Sequence, residues 1–184
     1  MTDSCPDSLV RFAGLLADAA GDVAQRYFRS GVQAEDKADE SPVTIADRTA
    51  EAAMRALIEK EFPEHGIIGE EHGSVRRDAE WVWVLDPIDG TAAFIAGVPV
   101  YSTLIALCRD GVPVVGVMDF PAIDARFLGV TGQQTRLNGA RISRSARRDA
   151  AASRLASAWR SAASRSSSCA VAVNCRRSSS RARS

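Results

Sequence analysis

The chain has 184 residues, of which 46% are hydrophobic and 25% are charged, a composition typical of a soluble globular protein with one generous domain or two small ones. No apolar run is long enough to span a bilayer, and no basic segment leads into an apolar core at the start, so we expect a cytoplasmic protein without a membrane segment. The net charge is zero because the opposite charges of two regions of the chain cancel. Residues 1–149 hold all 23 acidic and 16 of the 23 basic residues, for −7, whereas residues 150–184 hold seven arginines, for +7.

Two amphipathic helices are predicted near the start of the chain. Apolar residues recur at three- and four-residue steps over residues 8–30, and Gly31 follows as a helix-ending residue. A second helix is predicted from about residue 45 to residue 62. The polar, turn-rich segment DKADESPVT (residues 36–44) between them is predicted to be a loop.

Short apolar segments after the helices predict a sheet. The stretch that ends at Glu70 and Glu71 is a predicted strand, as are residues 81–85, and residues 91–96 are predicted to form a two-turn helix. The segments STLIALC, VPVVGVMDF and RFLGV then follow one another with short turns between them, which indicates an antiparallel meander. We therefore expect an α+β fold, with two N-terminal helices packed on a mostly antiparallel sheet and residues 1–143 as one domain.

Residues 144–184 are expected to form a disordered or aberrant basic tail. They consist mostly of serine, arginine and alanine, and such a segment cannot bury enough apolar surface to offset its ordering entropy. The arginines lack the interleaved aromatic residues typical of single-strand binding, which argues against nucleic acid as a partner. The composition is typical of a GC-rich gene translated in the wrong frame.

Acidic residues gather where the predicted elements end. Glu70 and Glu71 follow one strand, Asp86 follows another with Asp89 three residues later, and Asp47 lies in the predicted first turn of the second helix. Carboxylates at the ends of adjacent strands can converge, and they repel one another unless a cation neutralises them. All the candidate ligands are hard oxygens, which favours Mg²⁺ over Zn²⁺.

The segment WVLDPIDGT adds an anion site to this acidic group. Pro87 biases Asp86 towards an extended backbone, so that both aspartates can face one side and the Ile88 carbonyl is free to act as a ligand. Gly90 and Thr91 then open a helix, and helix starts bind phosphate through free backbone N–H groups. Paired metals beside such a helix start are the layout of a phosphoryl-transfer site.

The motifs DESPVTIAD, IIGEEHG and WVLDPIDGT resemble, in order and spacing, those of the inositol monophosphatase family of Mg²⁺-dependent phosphomonoesterases. The similarity continues through GVPVYSTLIAL, GVMDFPAIDARFLG and LNGARI and covers about residues 9–143. The run after DPIDGT is most similar to the branch that dephosphorylates histidinol phosphate. Ala92 and Ala93 stand where typical inositol phosphatases carry an Asn-Phe pair.

The resemblance implies a site with two or three Mg²⁺ ions. Glu70, Asp86 and the Ile88 carbonyl would bind the first ion, and Asp86 would bridge to a second ion that Asp89 also binds. By the same resemblance, one metal makes hydroxide available and the other stabilises the leaving alkoxide.

The resemblance also implies the residues that act on the water and on the phosphate. Asp47, Thr91 and Glu70 would be catalytic, with Asp47 and Thr91 orienting the attacking water. The backbone N–H groups of Gly90 and Thr91 would bind the phosphate of a small phosphorylated metabolite.

One departure from the family pattern leaves the activity of this chain open. Family members continue into a second α/β region whose aspartate completes the second metal site, and nothing after Ser143 resembles it. The expected function is Mg²⁺-dependent hydrolysis of a phosphate monoester, histidinol phosphate first, with inositol 1-phosphate or another sugar phosphate as the alternative. An inactive binding protein is the alternative from a different class. Family members often form homodimers, so a homodimer is also open.

Overall fold

The computed structural model describes residues 5–30 and 42–142. The helices are α1 (Asp7–Tyr27), α2 (Pro42–Glu61) and the short α3 (Thr91–Ile95), with a 3₁₀ turn at Pro121–Ile123. The strands are β1 (Gly66–Gly69), β2 (Ser74–Val75), β3 (Trp81–Asp89), β4 (Ser102–Arg109), β5 (Val112–Phe120), β6 (Ala125–Val130), β7 (Arg136–Leu137) and β8 (Ala140–Arg141).

The strands form one eight-stranded sheet in the order β2-β1-β3-β4-β5-β6-β7-β8. Only the β1–β3 pair is parallel among these strands, and the meander from β3 to β6 is antiparallel throughout. The predicted α+β fold with a mostly antiparallel sheet is therefore confirmed. Strands β2, β7 and β8 were not predicted because each has two residues, too few to show an alternating pattern.

The helix boundaries differ from the predicted ones. Helix α1 ends at Tyr27 rather than near Gly31, because Phe28 already has an extended backbone with φ of −64° and ψ of 121°. Helix α2 begins at Pro42, so the last three residues of the predicted loop are helical. Proline suits a helix start because its missing N–H would have no partner there. Gly31 and the predicted tail at residues 144–184 lie outside the described residues.

Helices α1 and α2 cover one face of the sheet. Leu16 and Ala20 of α1 and Met54 of α2 are fully buried against Trp83 and Leu107 of the sheet. The Phe12 ring meets Trp83 edge-on with a centroid distance of 5.5 Å. This packing buries the apolar stripe of each helix and fixes both helices on the strands that carry the acidic residues. Within the described ranges, no helix combines the length and apolar character that crossing a bilayer requires.

Candidate active site

Two parallel strands bring predicted site residues to one edge of the sheet. Strands β1 and β3 run side by side, and Gly69 pairs with Leu85. Glu70 comes directly after Gly69, and Asp86 comes directly after Leu85. These two acidic residues are therefore level with each other on the neighbouring chain segments. The parallel pairing gives the acidic group its shared location.

Asp86 lies at the centre of this acidic group. The residue is 9% exposed. Its pKa is raised from 3.8 to about 8, first by burial and then by the charges of Glu70, Asp89 and Asp47. The Glu70 side chain also shares a hydrogen bond with Asp86, which favours the protonated form. Three neighbouring carboxyl groups therefore act on Asp86 at this edge.

A break in the β3–β4 register turns Asp86 and Asp89 to the same side of the sheet. Asp86 pairs with Leu104 and Asp89 pairs with Ser102, so β3 advances three residues while β4 advances two. Leu104 and Ser102 are two positions apart on β4 and face one side, and their partners must do the same. The sequence predicted a strand that ends at residue 85. Strand β3 instead continues through Asp89, and a bulge within it orients the aspartates.

Helix α2 places Asp47 against the same edge. Because the helix begins at Pro42, Asp47 lies in its second turn and not in the first turn as predicted. Asp47 is 8% exposed. Its pKa is raised to about 7 by burial and by the charges of Glu71 and Glu70, and a backbone hydrogen bond from Ile88 partly opposes the rise.

Gly90 and Thr91 connect β3 to α3. Gly90 has a φ of 86°, a left-handed conformation that glycine adopts without steric cost. The Thr91 hydroxyl donates to the Ile88 carbonyl at 3.3 Å. The carbonyl predicted as a metal ligand therefore already accepts one hydrogen bond and keeps a second lone pair. Helix α3 begins at Thr91, as predicted, and ends one residue earlier than expected.

Glu51 of α2 fixes the loop after β1, a role that the sequence did not reveal. Its fully buried carboxylate pairs with Arg55 at 2.7 Å and accepts the backbone N–H groups of Glu71 at 2.7 Å and His72 at 3.1 Å. Arg55 in turn donates to the Gly73 carbonyl. The sequence signal that could have revealed this role was a glutamate four positions before an arginine on the buried face of a helix.

The donor chemistry of this edge fits a hard divalent cation. Glu70, Asp86 and Asp89 carry carboxylate oxygens and Ile88 offers a carbonyl, which are the ligands that Mg²⁺ prefers. After burial, the strongest influences on the Asp86 pKa come from other carboxylates, so a cation would relieve their repulsion. In the part of the chain that the structure describes, no three acidic, histidine or cysteine side chains are already arranged to hold a metal ion. A cation would have to draw these side chains together.

Comparison with known proteins first defines the fold. A solved structure of an inositol monophosphatase from Zymomonas mobilis superposes with a TM-score of 0.67 at 49% identity, over 76% of this chain. The two helices and the sheet with the acidic edge are therefore an inositol monophosphatase-like fold. The sequence model of the "Inositol monophosphatase family" matches residues 6–183 of this chain. The chain belongs to this family of phosphatases, which is generally metal-dependent.

Two curated relatives are also similar. The chain is 47% identical over 145 residues to "Bifunctional phosphatase IMPL2, chloroplastic" of Arabidopsis thaliana and 41% identical over 137 residues to a "Histidinol-phosphatase" of Chlorobaculum parvum. These alignments cover 78% and 71% of this chain but 42% and 51% of the relatives. The chain thus spans about half the length of the curated relatives it matches. The family match extends past Ser143, beyond the similarity recognised from the motifs.

Proposed function

We propose that this chain supplies the acidic part of a Mg²⁺-dependent phosphatase site, with histidinol phosphate as the first candidate substrate. The observation that carries the proposal is the strand pairing that places Glu70 level with Asp86 and turns Asp86 and Asp89 to one side of β3. A buried carboxyl group such as Asp86, with other carboxylates beside it, is costly to ionise, and a divalent cation removes that cost.

Four oxygen donors are proposed to hold the metal. Asp86 would bridge two Mg²⁺ ions, Glu70 and the Ile88 carbonyl would bind one of them, and Asp89 would bind the other. The family resemblance supports two or three ions per site. Bound Mg²⁺ would lower the pKa of a coordinated water and stabilise the charge of the leaving alkoxide.

Asp47 and Thr91 are proposed to orient the attacking water, with Glu70 completing the catalytic set. Both contact Ile88: Asp47 accepts a backbone hydrogen bond from it, and the Thr91 hydroxyl lies 3.3 Å from its carbonyl oxygen. A carboxyl and a hydroxyl are thus fixed beside the proposed metal ligands. The N–H groups of Gly90 and Thr91 are proposed to bind phosphate oxygens at the start of α3.

The substrate preference is supported by relatives. A protein named histidinol-phosphatase is 41% identical, whereas a similar solved structure, 49% identical, is that of an inositol monophosphatase. The Arabidopsis relative is named bifunctional. Histidinol phosphate is therefore our first candidate, and inositol 1-phosphate is the alternative. The homodimer stays a prediction.

The proposed function can be tested by phosphate release over a Mg²⁺ titration. The assay compares the 184-residue chain with a fusion of residues 1–142 to the second half of the Chlorobaculum parvum relative. We expect the fusion to hydrolyse histidinol phosphate with a higher kcat/KM than inositol 1-phosphate. The chain by itself should be nearly inactive, because the family resemblance assigns a further metal-binding aspartate to the relatives' second half.

Asp86→Asn in the fusion should remove the Mg²⁺-dependent activity, since the bridging charge is lost from both ions at once. Asp110→Asn is the matched control: it makes the same chemical change in the exposed β4–β5 turn, where φ is 48° and asparagine is well tolerated. Hydrolysis that needs no divalent cation, or near-normal turnover by Asp86→Asn, would contradict the proposed site.

A further inference from the structure

The hydroxyl of Thr103 forms a hydrogen bond to the backbone at the register break that turns the two aspartates to one side. Thr103 is the single β4 residue between the partners of Asp86 and Asp89. Its Oγ1 donates to the Pro87 carbonyl at 2.8 Å, and the residue is fully buried. The side chain therefore contacts the backbone of the bulge itself.

The Pro87 carbonyl lies in the irregular part of β3 and accepts this hydrogen bond. A bulge leaves an extra residue outside the regular strand ladder, and proline has no N–H with which to restore pairing. Pro87 is also fully buried, so that water is not an alternative partner for its carbonyl. A buried carbonyl without a partner is destabilising, and a bulge that loses this bond should shift towards regular pairing or fluctuate.

Thr103 acts from the face of the sheet opposite Asp86 and Asp89. It lies between two residues whose partners are Asp86 and Asp89, so its side chain faces the other way. Its partner on β5 is Asp119, which is buried beneath Gly21 of α1. Thr103 therefore cannot bind the cation directly, and any effect on it passes through the backbone of the bulge.

We propose that Thr103 is a positioning residue of the metal site. Its hydroxyl holds the Pro87 carbonyl, and this hydrogen bond maintains the bulge that keeps Asp86 and Asp89 on one side of β3. The assignment to a metal site rests on the proposed function. The effect on the bulge is a property of the metal-free chain and can be measured separately.

Two substitutions in the 184-residue chain separate the hydroxyl from the shape of the side chain. Thr103→Val removes the donor and keeps the branched shape, whereas Thr103→Ser keeps the donor. Thr131→Val is the matched control, because Thr131 Oγ1 makes the same kind of contact, to the Pro113 carbonyl at 3.3 Å, on exposed residues at the other end of β5.

The first readout is Mn²⁺ binding, followed by the electron paramagnetic resonance signal of free Mn²⁺. We expect Thr103→Val to weaken Mn²⁺ binding about tenfold, a typical effect of losing a group that orients metal ligands. Thr103→Ser and Thr131→Val should bind Mn²⁺ like the unmodified chain.

The second readout is amide hydrogen exchange of residues 86–91 without metal. Thr103→Val should speed exchange in this segment, and Thr103→Ser and Thr131→Val should not. If the unmodified chain binds no Mn²⁺, the proposed function fails, and the exchange data still decide whether Thr103 holds the bulge.

Unchanged exchange together with unchanged Mn²⁺ affinity in Thr103→Val would overturn the proposal. If Thr103→Val does not fold, the test rests on Thr103→Ser, which keeps the hydroxyl. Faster amide exchange at residues 86–91 or weaker Mn²⁺ binding in Thr103→Ser would show that the hydroxyl is not sufficient, and the proposal would be wrong.

Discussion

At the scale of single residues, burial dominates the chemistry of the candidate site. For both Asp47 and Asp86, loss of solvent raises the pKa more than any one neighbouring charge does. The neighbours then add to the rise, because they are carboxylates held nearby by the fold. The same side chains on an exposed loop would titrate near 3.8 and would show none of this behaviour.

These raised pKa values predict how stability depends on pH without metal. The folded state holds a proton that the unfolded state has released on Asp47 between about pH 4 and pH 7, and on Asp86 between about pH 4 and pH 8. The resulting stabilisation is fully present below pH 4 and is lost as pH rises through 7 and 8. In EDTA, the free energy of unfolding by urea should therefore fall more from pH 5.5 to pH 8.5 in the unmodified chain than in Asp86→Asn.

Adding Mg²⁺ at pH 8.5 should restore stability to the unmodified chain more than to Asp86→Asn, because a bound cation replaces the lost protons. An equal pH dependence of the two proteins in EDTA would show that Asp86 titrates at an ordinary value in the folded state.

Gly69 illustrates how closely backbone and site are packed. A Cβ at this position would collide with the Glu51 carboxylate that holds the loop after β1. We expect Gly69→Ala to lower the free energy of unfolding by about 2 kcal/mol, because Glu51 must move and its buried hydrogen bonds are lost. Urea unfolding followed by tryptophan fluorescence measures the change.

Gly14→Ala is the control for this substitution. Gly14 lies within α1, and a Cβ there meets nothing within 4 Å, so alanine should stabilise the helix by up to about 1 kcal/mol. If both variants had the same stability, the close approach of Glu51 to Gly69 would not matter energetically.

At the scale of elements, one arginine connects α1 to the sheet. Arg126 of β6 pairs with the buried Asp119 of β5 at 2.7 Å and with the exposed Asp18 of α1 at 2.8 Å. It also reaches the Gly14 carbonyl at 3.4 Å. The two ion pairs share one guanidinium but differ in exposure, with side-chain accessibilities of 6% for Asp119 and 59% for Asp18. Their energetic contributions should differ accordingly.

We expect Arg126→Leu to lower the free energy of unfolding by about 2–3 kcal/mol, because it leaves the Asp119 carboxylate buried without its cation. Asp18→Asn removes only the exposed partner of the same arginine and should cost less than about 1 kcal/mol. Chemical denaturation of both variants distinguishes the pairs. A larger loss for Asp18→Asn would mean that the contact to α1, and not the buried charge, is the important one.

At the scale of the whole molecule, the two faces of the sheet differ. The face under α1 and α2 carries fully buried residues such as Trp83 and Leu107. Val84, Leu104 and Met118, which stand at alternate positions of their strands, are only partly buried. The relatives are about twice as long as the part of them that this chain matches. The comparison between the chain and the fusion measures how much of the activity depends on the relatives' second half.

The sequence by itself determined the parts of this protein that depend on local chemistry. Apolar spacing predicted α1, α2 and the strands of the meander, and the types and order of Glu70, Asp86 and Asp89 predicted an acidic site for a hard cation. These features are visible because side-chain periodicity and ligand chemistry are properties of neighbouring residues along the chain.

The tertiary structure decided what depends on pairing between distant residues. Thr103 opposite the bulge, Glu51 beneath the loop after β1 and the raised pKa of Asp47 arise from contacts between separate elements, and no local pattern encodes them. A one-residue change in register turns a side chain to the opposite face of a sheet. The common orientation of Asp86 and Asp89 was therefore fixed only when β3 paired with β4.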